Sequence, residues 1–99
     1  REARPDPPIV LVEDRTYANS WIMKSKRERH AGSRSAFVHA YDALVSSGVK
    51  GLYYVEGENL LGDDMDGTTD GSHPNDLGFM RQADALEPVL RKVLGAPAL

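Results

Sequence analysis

The chain has 99 residues, 40% hydrophobic and 27% charged, which fits one small globular domain and no more. A net charge of −3 and a pI near 5.5 leave no basic stripe to neutralise phosphates, which argues against nucleic acid as the main partner. Cys is absent, excluding disulfide frameworks and Cys-zinc sites, and no apolar run approaches the roughly 18 residues of a membrane span.

No signal peptide is recognisable, and a start at Arg1 rather than Met leads us to expect a trimmed piece of something longer. No residue pattern marks a compartment. Pro5, Pro7 and Pro8 force an extended lead-in. Ile9-Val10-Leu11-Val12 is a continuous apolar run, which predicts a strand buried on both faces, as in a parallel sheet. Glu13 to Trp21 follows its C-terminal end, where open α/β sheets carry their ligand crevice. Tyr17 and Trp21 would suit a pocket wall there; the competing reading is a solvated loop with Trp21 packed as a lid on the core. The basic run Lys24 to Arg29 reads as the solvated start of a helix rather than an anion site. Phe37, Ala40, Tyr41, Leu44 and Val45 then fall on one helix face, with Gly48 as its stop and His39 off the stripe.

Gly51 to Val55 predicts a second short strand. Strand, helix, strand makes a βαβ unit with a right-handed crossover. Two strands alone do not make a stable sheet, so a further edge from another segment or molecule is expected. Glu56 to Asp70 is an acidic, glycine-bearing loop. Asn75 or Asp76 should cap a final helix with a buried face of Phe79, Ala83, Leu86, Leu90 and Val93. Pro88 should kink or restart that helix, and Gly95-Ala96-Pro97 ends the chain.

The stretch richest in chemistry is Asp70-Gly71-Ser72-His73, an Asp and a His three apart across residues that permit a tight turn. Such a pair is the second half of a Ser-His-Asp apparatus. The His takes a proton from a nucleophile and returns it to a leaving group. The Asp holds the ring in the right tautomer and stabilises the imidazolium. No serine of the chain sits in a nucleophile's setting, and Ser72 is a sequence neighbour that rarely presents Oγ to the next ring. Two other classes stay open. Asp63, Asp64, Asp66 and Asp70 offer hard oxygen ligands for calcium, without the spacing of an EF-hand. Alternatively, the chain is a catalytically silent α/β fragment or interaction module, held through its open strand edge.

Asp70-Gly71-Ser72-His73-Pro74-Asn75-Asp76-Leu77-Gly78 resembles the last conserved block of the SGNH (GDSL-type) hydrolases. Ile9 to Arg15 and Leu52 to Gly57 resemble the last two strands of the bacterial GDSL-like lipase/acylhydrolase branch, and Leu60 to Asp64 and Gly67 to Asp70 the loop that follows. The resemblance implies that residues 1–99 are the C-terminal half of a three-layer α/β/α, flavodoxin-like domain with a parallel sheet. It implies Asp70 and His73 as catalytic residues of a serine ester hydrolase, with neither metal nor cofactor. The family's nucleophile serine and its oxyanion-hole Gly and Asn lie in earlier blocks that these residues lack, so the missing N-terminal half is the implied partner. The implied substrate is a small-molecule or carbohydrate ester, with Tyr17 and Trp21 as pocket walls.

Overall fold

Four apolar residues in succession, Ile9–Val12, form β1, and Leu52–Val55 form β2. They pair in parallel from Ile9 opposite Leu52 to Val12 opposite Val55. The ladder extends at both ends, where Ile9 N–H donates to Gly51 O and Glu13 N–H donates to Val55 O, each at 2.9 Å. Helix α1, Lys24–Ser46, connects the strands, and α2, Asp76–Leu94, follows them. These are the elements of a computed structural model that describes residues 1–95. Of the closing Gly95-Ala96-Pro97, Ala96 and Pro97 lie outside the described residues.

Alternation along a strand puts Leu11 and Tyr54 on one face and Val12 and Val55 on the other. Phe37 and Tyr41 of α1 pack on the Tyr54 ring, at centroid separations of 5.6 and 5.0 Å. Across the other face, Val12 lines a hollow with Gln82 and Leu86 of α2. The result is helix, sheet, helix. The best-buried apolar side chains are Tyr17, Val55, Leu60 and Leu61. They gather at the C-terminal ends of the strands, so the core sits under the loops. Two of them come from the acidic loop, whose Leu60-Leu61 turns inward.

Several expected faces shift. β1 is covered less than a strand buried on both sides, since Ile9 and Val12 remain partly open to solvent. On α1, Phe37 and Tyr41 are part-covered but Ala40, Leu44 and Val45 are exposed. On α2, Leu86 and Val93 are part-covered, while Phe79, Ala83 and Leu90 are exposed and the covered side runs through Gly78, Gln82, Ala85 and Val89. The reason is width. Two strands about 4.8 Å apart are narrower than a helix about 10 Å across, so only the centre of each apolar stripe finds the sheet. α2 also runs unbroken through Pro88 rather than restarting. The ring removes one backbone donor, and part-covered Leu86 and Val89 on either side keep the turn in place. Among the described residues, no helix is long and apolar enough to cross a membrane.

A buried carboxylate pins the end of the sheet. Glu13 is 3% exposed and accepts from the Tyr54 hydroxyl and from Gly57 N–H (3.1 Å). Arg34 of α1 approaches the same carboxylate at 3.6 Å and reaches Glu58 at 3.2 Å. Burial, and then the hydrogen bond and charge of Glu13, push the Tyr54 phenol well above the usual tyrosine range. The phenol therefore stays a donor, which a buried carboxylate requires.

Candidate active site

Residues 66–75 fold back on themselves just before α2. Thr68 and Pro74 form an isolated antiparallel bridge, Thr69 N–H donates to His73 O (3.0 Å), and Asn75 N–H donates to Gly67 O (3.0 Å). The Asn75 side chain works in both directions: its Nδ2 donates to Asp66 O at 2.7 Å, and its Oδ1 caps α2 by accepting from Gly78 N–H at 2.9 Å. Between these ties the chain must turn sharply. Gly71 does so at φ +89°, a region that L side chains avoid, and its N–H donates to Thr68 Oγ1 at 3.0 Å.

Asp70 and His73 form the tip. Asp70 Oδ1 accepts from Ser72 N–H (2.9 Å) and His73 N–H (2.8 Å), the local ring closure that Asp favours in turns. Asp70 Oδ2 meets His73 Nδ1 at 2.5 Å. The His73 backbone N–H, then the His73 ring, then the Ser72 N–H hold the Asp70 carboxyl below the usual carboxylate range. An ionised carboxylate only accepts, so in the neutral ring Nδ1 carries the hydrogen and Nε2 keeps the lone pair. Nε2 has no hydrogen-bond partner among the described residues, and the His73 side chain is 75% exposed. An oriented imidazole with an open, basic Nε2 can accept a proton from a hydroxyl placed against it.

The loop after β1 braces this tip. Ala18 N–H donates to Gly71 O at 2.8 Å. Arg15 Nε donates to Ser72 O at 3.1 Å, and Arg15 Nη2 donates to Ser72 Oγ. The Asn19 amide lies against Gly71, where an added Cβ would come within 3.1 Å of it. The sequence places Arg15 and Asn19 only in a polar crevice loop; nothing local marks a partner 57 residues away.

Tyr17 and Trp21 are brought together, but apart from the tip. Both line an open cleft of about 730 Å³ that also includes Thr16, His30, Leu61 and Met65 and reaches Thr68, while Asp70 and His73 are not in its wall. Tyr17 is buried, its ring flanked by Lys26, Arg15 and Arg29 at 4.9, 5.3 and 5.9 Å. Trp21 is 65% exposed, so it is no lid on the core; its Nε1–H donates to Met65 Sδ at 2.8 Å. The calcium alternative finds no converging ligand set among the described residues. Asp64 is instead clamped by Arg81 through both oxygens at 2.6 Å, and Asp70 serves His73.

None of the curated proteins matches this chain. Among solved structures, a provisionally assigned GDSL-like lipase from Bacteroides ovatus is similar, with a TM-score of 0.91 and 32% identity over 98% of this chain. This chain spans only 29% of that structure's length. The α/β fold described above therefore corresponds to a fragment of a GDSL-like lipase fold. The model of the GDSL-like lipase/acylhydrolase family matches residues 1–91, strands, turn and most of α2 included, and the chain belongs to that family.

Proposed function

We propose that these residues are the C-terminal part of an SGNH domain with serine ester hydrolase activity, in which His73 is the general base and Asp70 its orienting carboxylate. The observation that carries this reading is the 2.5 Å contact between His73 Nδ1 and Asp70 Oδ2 with Nε2 left open. A serine hydroxyl from the N-terminal part gives its proton to Nε2 as its oxygen attacks the ester carbonyl. The imidazolium, stabilised by Asp70, then returns that proton to the departing alcohol, leaving an acyl-enzyme. Water then attacks the acyl carbon while giving its proton to Nε2, and the imidazolium passes that proton to the serine oxygen as the acyl–oxygen bond breaks and the acid leaves. Correct placement of such a base contributes roughly 10²–10⁴-fold.

The nucleophile and oxyanion donors belong to the part of the domain outside this chain. That part would seat on the open strand edges and on the exposed apolar sides of both helices. Within the chain, Ser72 makes a poor nucleophile, since its Oγ is occupied by Arg15. The isolated segment is accordingly catalytically silent. Tyr17 and Trp21 are proposed as walls for the acyl or alcohol part of a small-molecule or carbohydrate ester. Hydrolysis of p-nitrophenyl acetate by the full-length protein tests the assignment. His73→Ala should abolish turnover without changing the melting temperature, and near-normal turnover would overturn the reading.

A further inference from the structure

We infer that Arg15 is a positioning residue for the His73 base, acting through the backbone of Ser72; this rests on the reading of His73 given above. In the Asp70–His73 turn the Asp70 and His73 side chains are exposed and Gly71 and Ser72 only part-covered, so hydrogen bonds rather than deep burial fix where the turn sits against the sheet. The ties from the β1 side come from the loop directly after that strand: Ala18 N–H to Gly71 O, and the fork of Arg15 on Ser72.

Every nitrogen of the Arg15 guanidinium is engaged. Nε donates to Ser72 O at 3.1 Å, Nη2 donates to Ser72 Oγ, and Nη1 pairs with Asp14. The guanidinium carbon lies 5.3 Å from the centre of the buried Tyr17 ring, which adds a fourth restraint. Asp14 and Arg15 follow Glu13, itself fixed by Tyr54, Gly57 and Arg34. A chain of contacts thus runs from the buried end of the sheet to the peptide that carries His73. A planar fork held on two oxygens sets both position and angle, which the point charge of a lysine does not. Displacing a reacting group by about 1 Å costs on the order of 10²-fold in rate.

The test uses the full-length enzyme and p-nitrophenyl acetate, comparing Arg15→Lys, Arg15→Ala and Ser72→Ala with wild type and His73→Ala. Arg15→Lys should lower kcat by about 10–10²-fold, with KM and melting temperature unchanged. Ser72→Ala, which keeps the carbonyl contact, should lose less. Added guanidinium at low millimolar concentration should restore part of the kcat of Arg15→Ala, a rescue that merely filling a structural gap would not give. Wild-type kcat in Arg15→Lys beside an inactive His73→Ala would overturn the inference alone, as would a kcat loss that only follows a fall in melting temperature. Undiminished turnover in His73→Ala would overturn the base assignment and this inference with it.

Discussion

Asp70 divides its work between two oxygens, one tying down the turn and the other holding the His73 ring. Its depressed carboxyl pKa has a definite sign. The interaction is fully present above the ordinary aspartate value of about 3.9, and it is lost as pH falls through the lower folded value. A carboxyl-carbon NMR titration should therefore place the Asp70 midpoint below that of an exposed aspartate; a midpoint at or above about 4 would contradict the geometry. Gly71→Ala should loosen the same turn. The left-handed backbone costs an L residue about 1–2 kcal/mol, and the new Cβ would press on the Asn19 amide at 3.1 Å. Thermal unfolding of the full-length protein should show that loss. The Asp70–His73 pairing was legible in the sequence because it is local and the residues between permit a turn. The roles of Arg15 and Glu13 were not, because a guanidinium or a carboxylate finds its partner through the fold, here 57 and 41 residues away.

α2 begins where the candidate site ends, so its first turn links stability to the proposed catalysis. Gly78 is the buried residue of that helix, and a Cβ there would lie 2.1 Å from Gly67 O and 2.9 Å from Pro74 Cβ. Alanine ordinarily gains about 1 kcal/mol over glycine within a helix. The clash with backbone outweighs that gain, so Gly78→Ala should lower the melting temperature and the proposed esterase activity together; stabilisation would contradict the close approach. Asn75→Ala should cost about 1 kcal/mol for the lost cap, and more if the Asp66 carbonyl loses its partner without water replacing it. At the C-terminal end of the sheet, Tyr54→Phe leaves Glu13 buried with one donor fewer and should destabilise by about 1.5–3 kcal/mol in denaturant titration. Element positions followed from local pattern: β1 falls on its apolar run, α1 starts at its basic run, and Asn75 is the cap. Which side of each helix is covered did not follow. That depends on the sheet's width and on the proposed N-terminal part, and no periodicity encodes either.

As a whole, the described residues leave many large apolar side chains open to solvent. Trp21, Ile22, Phe79, Met80 and Leu94 are among the side chains more than half exposed, and each strand keeps one unpaired edge. A lone pair of strands is marginal in water. The segment expressed alone should bind the dye ANS and unfold without a sharp transition, whereas the full-length protein should unfold cooperatively. A cooperative, dye-free isolated segment would contradict the proposed dependence on the N-terminal part. Covalent labelling of the full-length protein with a fluorophosphonate, read by peptide mass spectrometry, confronts the proposed chemistry at its reacting atom. The expected result is a label on a serine outside these 99 residues that disappears in His73→Ala. A label on any serine within them, or labelling undiminished by His73→Ala, would contradict the assignment of His73 as the base for a nucleophile supplied by the N-terminal part.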